Sequence, residues 1–218
     1  MSPPEKNQPF QQQRYGRYVG VLGLLILALI TLNTLLSKPN GARGIPVGQH
    51  TAPFAVPLAL SDLSGDSDVA TRANEGAAGK HPACQLRGPR ILNLCELYEH
   101  NPVVLALFVN SGACPEVLTD MQRLLGQFPG VRFAAVEVKG HRNALRQLVR
   151  SRGLSFPVGY DEDGALAAIY RLASCPQLTF LLPGGTVQSE ALLTTPPIAT
   201  LRARVSGLEA AARARGFR

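Results

Sequence analysis

Val103-Val104-Leu105-Ala106-Leu107-Phe108-Val109, followed after four intervening residues by Cys114-Pro115-Glu116-Val117, is the stretch that decides the fold. An unbroken apolar run of this length, rich in valine, predicts a strand covered on both faces. Beyond Cys114, Val117, Met121, Leu124, Leu125 and Phe128 recur at helical spacing. They predict a helix over 116–128, closed by Pro129-Gly130. A cysteine between such a strand and such a helix meets free backbone N–H groups and the positive end of the helix dipole. Both favour a thiolate, so Cys114 is a candidate reactive sulfur. The partner expected three residues later is missing. Val117 stands there, and valine cannot attack a mixed disulfide.

Working outward, residues 131–138 read as a second strand and 143–152 as a helix stopped by Gly153. A short edge at 156–159, a short helix at 163–172 and a strand at 178–182 follow. Pro183-Gly184-Gly185 turns the chain into 186–188, and a last helix runs over 198–215 with Leu201, Val205 and Leu208 inward. Upstream, 90–94 is a strand candidate and 95–100 a turn or single helical turn. The order predicts an α/β domain over 51–215, with a mixed central sheet and flanking helices. Residues 64–83, rich in Gly, Ala, Ser and Asp, read as a loop insertion.

The N-terminal part has a different character. A polar tail, 1–15, precedes an apolar segment at 16–37 with no charge between Arg17 and Lys38. About 20 such residues cross a bilayer as a helix, so a single transmembrane anchor is expected. A cleaved signal peptide would have a shorter apolar core and a small-residue cleavage site. Residues 38–50, interrupted by glycines, read as a flexible linker. Lys6, Arg14 and Arg17 precede the span and Lys38 and Arg43 follow it, a weak charge bias. The expected arrangement is a single-pass protein of the cell membrane, N-terminus cytoplasmic and C-terminal domain extracytoplasmic. Four cysteines in the outer domain and none before it suit an oxidising compartment.

The net charge is +7, with 22 basic and 15 acidic residues. Five basic residues and one acidic residue precede Ile45, which leaves +3 for the rest. Nucleic-acid binding wants a concentrated basic patch, so no nucleic-acid partner is expected. Arg202, Arg204, Arg213, Arg215 and Arg218 read as a solvated helix face. His50, His81, His100 and His141 are scattered, and no tight Cys/His ligand cluster occurs, so neither a metal nor another cofactor is expected.

Several ordered motifs resemble the thioredoxin-like superfamily, especially the membrane-anchored thiol–disulfide oxidoreductases of its TlpA-like branch. Leu92-Asn93-Leu94-Cys95-Glu96-Leu97 with Asn101-Pro102-Val103 resembles the hairpin before the central strand. Residues 108–114 resemble the strand-to-active-site loop. Phe156-Pro157-Val158 and Asp161-Glu162-Asp163-Gly164 resemble the stretch before the family's short helix, and Cys175-Pro176-Gln177 through Gly185 its cis-proline loop, strand and turn. The departures are the missing tryptophan, a loop longer by one residue and the Val117 position.

The resemblance implies that residue 175, just before a cis-proline at Pro176, lies beside the active-site helix. Cys114 and Cys175 are then a cross-loop pair, either reversible or a permanent staple. Under the reversible reading Cys114 attacks, Cys175 resolves and Pro176 shapes the docking loop. Cys84 and Cys95, with Gly88-Pro89 turning the chain between them, form a structural disulfide candidate contributing roughly 2–3 kcal/mol. Glu116 and Arg171 are candidate supporting residues, for proton transfer and thiolate stabilisation.

Three functions remain open. The first is protein thiol–disulfide exchange by a membrane-tethered redoxin, with a protein thiol or disulfide as partner. The second is peroxide reduction, since Ser111-Gly112-Ala113-Cys114 resembles the Ser/Thr-x-x-Cys run of peroxiredoxins, although Leu107 replaces that family's proline. The third is a catalytically degenerate thioredoxin-fold module that binds a protein through the old substrate groove.

Overall fold

The computed structural model describes residues 12–36, 44–63, 68–69 and 82–217. The expected tail up to residue 11, the linker up to residue 43, most of the insertion at 64–83, and His81 lie outside the described residues. The chain divides into two compact units, Met1–Gly41 and Ala42–Arg218.

The first unit contains helix α1, Gln12–Leu36. Its described side chains, 18–32, are exposed on every side, including Leu24 and Ile30. Among the described residues no helix is long and apolar enough to cross a membrane.

The second unit is built on strand β4, Val103–Phe108. All six side chains are buried, and they alternate between two cores as the pleat requires. Val104, Ala106 and Phe108 enter one core, and Val103, Leu105 and Leu107 the other. Strands β5 (Arg132–Val138) and β6 (Val158–Asp161) continue the sheet in parallel on one side. On the other side β7 (Gln177–Leu181) runs antiparallel to β4, and β8 (Val187–Leu192) antiparallel to β7. The spatial order is β6-β5-β4-β7-β8.

Helices α3 (Glu116–Leu125), α4 (Arg142–Ser151) and α6 (Ile198–Ala214) bury their apolar residues in the first core. The second core receives Leu94 of the short α2 (Leu94–Tyr98), Leu166 of α5 (Ala165–Ile169) and residues of a smaller antiparallel sheet. That sheet comprises β1 (Phe54–Pro57), β2 (Asp68–Val69) and β3 (Ile91–Asn93). Tyr170 closes this side. Its ring meets Phe54 edge-on with centroids 5.7 Å apart, and its hydroxyl donates to the Ala52 carbonyl at 2.8 Å.

Three boundaries differ from the sequence reading. Helix α3 stops at Leu125 rather than 128, because Gly126 caps it and the Gln127 N–H turns back to the Leu124 carbonyl. Helix α5 is shorter than 163–172, since the Asp163 side chain accepts from Ala165 N–H and Gly164 and Arg171 take left-handed conformations at its two ends. Residues 44–50, expected to be flexible linker, are held at the β7–β8 turn. Gly48 N–H donates to the Val187 carbonyl, and Val187 N–H to the Gln49 carbonyl, both at 2.9 Å. The same turn requires Gly185, where φ is +85° and a Cβ would strike the Tyr98 ring.

Leu105 has no solvent exposure, so Leu105→Ala is expected to cost about 2–5 kcal/mol of stability. Leu60 is 52% exposed, and Leu60→Ala should change stability by no more than about 0.5 kcal/mol. Chemical denaturation followed by circular dichroism measures both. Equal losses would contradict this placement of the core.

Candidate active site

The site lies where β4 leaves the sheet. Gly112 takes a left-handed turn, with φ +53°, and Cys114 N–H donates back to the Ser111 carbonyl at 3.2 Å. Pro115 precedes the first helical residue of α3 and offers no side-chain cap. Cys114 therefore stands just before the ten-residue helix α3, beside the positive end of its dipole, while the Glu116 and Leu118 N–H groups donate to the Ala113 and Pro115 carbonyls.

Cys175 reaches the same place from the other direction. Strand β7 begins at Gln177, directly after the cis Cys175–Pro176 bond, and its antiparallel register sets Gln177 opposite Leu107. The loop before β7 thus meets the loop after β4. Cys114 and Cys175 form a disulfide across 61 residues of sequence, with Cα atoms 5.3 Å apart. Val109 N–H points at both sulfurs, 3.0 Å from Cys175 Sγ and 3.4 Å from Cys114 Sγ. Val117, at the ordinary position of a second cysteine, is fully buried and serves the core.

Glu116 is exposed and pairs with Arg152 at 3.0 Å. Arg152 also donates to the Pro115 carbonyl at 2.7 Å and to Thr119 Oγ1 at 3.1 Å, fastening the end of α4 to the first turn of α3. Arg171 stands exposed after α5, and no described hydrogen bond or ion pair joins it to either sulfur. The sequence reading missed Arg152, because nothing local marks a residue 36 positions from the glutamate it binds.

It also missed Glu137, although a signal was present. Phe133, Ala135 and Glu137 alternate along β5, so the carboxyl must face the same core as the two apolar residues. Glu137 is only 1% exposed and lies between Phe108 of β4 and Tyr160 of β6 in the sheet register. Burial pushes its pKa up to about 7, opposed by the hydrogen bond from Asn110 N–H. Its Oε2 is buried without a hydrogen-bond partner. Gly140 leaves the room, since a Cβ there would collide with the carboxyl.

Cys84 and Cys95 form the second disulfide, with Cα atoms 5.4 Å apart. Asn93 organises this junction. Its amide donates to the Ala83 and Leu86 carbonyls, each at 2.8 Å, and its Oδ1 accepts from Cys95 N–H at 2.8 Å. The bond ties the 3-10 turn Ala83–Gln85 to α2. Among the described residues no group of three or more His, Cys, Asp or Glu side chains is placed to hold a metal ion.

No family model matches the chain. The thiol-disulfide oxidoreductase ResA of Oceanobacillus iheyensis is 27% identical over 77 residues, 34% of this chain and 40% of ResA. The match thus spans less than half of that curated relative. The thioredoxin domain of a thiol-disulfide oxidoreductase from Bacteroides vulgatus is similar with a TM-score of 0.54 and 10% identity, over 76% of this chain and 99% of that one. A DsbF homologue from Corynebacterium diphtheriae gives a TM-score of 0.55 and 15% identity, over 79% and 96%. The second unit therefore has a thioredoxin-like α/β fold.

Glu137 gives the fold a pH dependence. Its pKa is raised from 4.5 to about 7, so the stability it contributes is full below pH 4.5 and is lost as pH rises through 7. The loss is about 3 kcal/mol. Denaturation midpoints measured between pH 4.5 and 8 should fall in the wild type and stay nearly level in Glu137→Gln. Parallel curves would refute the assignment.

Proposed function

We propose that the chain is a membrane-tethered, extracytoplasmic redoxin of the TlpA-like branch, exchanging disulfides with a protein partner through the Cys114–Cys175 pair. The observation that carries the reading is the position of this bond. It joins the start of α3 to the loop of Pro176, at the end of the sheet where the chain leaves β4. A second sulfur from the Pro176 loop supplies what Val117 cannot.

Exchange needs no bound cofactor. One partner thiolate attacks one sulfur of the pair, the other sulfur leaves as a thiolate, and a mixed disulfide forms. A second partner thiol then attacks the partner's own sulfur in the mixed disulfide. The partner leaves oxidised and the domain holds two thiols; the reverse sequence reduces a partner disulfide. Val109 N–H, 3.0 and 3.4 Å from the two sulfurs, is placed to stabilise the thiolate that leaves. The Cys84–Cys95 bond, closing a short loop around the Asn93 network, is structural.

The tether is argued from α1. Its residues 19–30 are apolar and uncharged, and although among the described residues no helix is long and apolar enough for a full span, an exposed run of this kind is accommodated in a bilayer.

Disulfide mapping across graded glutathione potentials tests the site. The Cys114–Cys175 bond should open and re-form as a two-electron couple while Cys84–Cys95 stays closed. Cys114→Ser should abolish turnover of a disulfide substrate. A partner bound equally well by the Ser variant, with no wild-type turnover, would instead identify a binding module. Peroxide consumption with sulfenic acid at Cys114 would identify a peroxidase. The tether predicts that alkaline carbonate leaves the chain in the membrane pellet, and release into the supernatant would count against it.

A further inference from the structure

Resting on the exchange reading above, the geometry points to Cys175, not Cys114, as the sulfur that a partner thiol attacks and that carries the mixed disulfide. Thioredoxin-like logic applied to the sequence gives the opposite order, because Cys114 is the residue at the helix start. The tertiary structure changes the balance between the two sulfurs.

Access differs first. Cys114 is 7% exposed and belongs to the core that holds Val117, Leu118 and Met121. Cys175 is only partly buried and packs against that core from outside, with exposed Ala173 and Ser174 before it. A thiolate attacks a disulfide in line with the S–S bond. An approach to Cys175 comes from its own, more open side. An approach to Cys114 is restricted by its burial in the core with Val117 and Leu118.

Leaving-group chemistry points the same way. The sulfur that departs is the one better stabilised as a thiolate, and a thiol of lower pKa leaves faster. Cys114 stands at the N-terminal end of α3, where the helix dipole favours negative charge. A carboxylate on the first turn of α3 that would oppose this is Glu116, and Arg152 holds it in an ion pair. The other carboxyl close to the loop, Glu137, is bound to Asn110 N–H and is favoured in its neutral form by burial. Cys175 lies outside any helix, and the Val109 N–H it receives at 3.0 Å also reaches Cys114 at 3.4 Å, so the helix start is what distinguishes the two sulfurs.

The balanced sequence follows. A partner thiolate bonds to Cys175 Sγ, the S–S bond breaks, and Cys114 leaves as a thiolate. The partner's second thiolate attacks its own first sulfur and expels Cys175. Two electrons pass from the partner to the domain, and the protons of two partner thiols are balanced by those taken up at Cys114 and Cys175. In the opposite direction Cys175 attacks the partner disulfide and Cys114 resolves the mixed disulfide.

The test uses the whole oxidised chain and reduced glutathione, with acid quenching and peptide mass mapping. Glutathione is expected on Cys175, at about tenfold over Cys114 in the earliest time points. A second measurement, on the reduced single-cysteine variants, removes any dependence on one trapped species. Oxidised glutathione should modify Cys175 in Cys114→Ser severalfold faster than Cys114 in Cys175→Ser, because access governs the rate and outweighs the larger thiolate fraction at Cys114. Glutathione found first on Cys114, in a bond that opens reversibly, overturns this order and leaves the exchange reading intact. A Cys114–Cys175 bond that no glutathione ratio opens overturns both.

Discussion

The antiparallel register of β4 and β7 is the constraint on which this site depends. Leu107 stands opposite Gln177, so the C-terminal end of one strand and the N-terminal start of the other share an edge. Whatever follows β4 by a few residues must meet whatever immediately precedes β7. Burial of β4 on both faces makes that register costly to shift, because a one-residue slip would exchange the members of two apolar cores. Two cysteines far apart in sequence are thereby held at bonding distance by packing.

This arrangement separates the two jobs that a Cys-x-x-Cys helix normally combines. The start of α3 carries Cys114, which the proposed function uses as a thiolate site, while the position three residues later serves the core as Val117. The second sulfur comes from a loop instead of a helix. The two sulfurs therefore have unlike surroundings: one at a helix start against the core, one on a more open strand entrance. They share the Val109 N–H, which among the described residues reaches both.

Charge around the pair is arranged through long-range contacts. Arg152 answers the Glu116 carboxylate and at the same time binds the backbone and Thr119 in the first turn of α3. It thereby holds in place the turn that carries the sulfur. Glu137 is different in kind. One oxygen is tied to Asn110 in the loop and the other has no partner, so its neutral form is the one the core accepts. The loop after β4 is consequently anchored at adjacent residues, Val109 by the sulfurs and Asn110 by a titratable acid.

Alternation and spacing in the sequence were enough to establish the strands, the helices carrying apolar stripes, and the α/β class. The reason is that burial of β4, α3 and α4 is dictated by side-chain period alone. They also marked Cys114 as a sulfur at a helix start, and the alternation of β5 carried an unread sign that Glu137 points inward. Helix ends at Gly126 and Arg171 were less legible, since caps depend on local backbone conformation. The sequence offered Cys84–Cys95 as a candidate and the family resemblance implied Cys114–Cys175; the tertiary structure holds both bonds, because strand register and loop meeting points are contacts between distant segments. It alone brought Arg152 to Glu116, bound residues 44–50 to the β7–β8 turn, and made the two sulfurs unequal in access. Those are properties of neighbours in space, on which local periodicity carries no information.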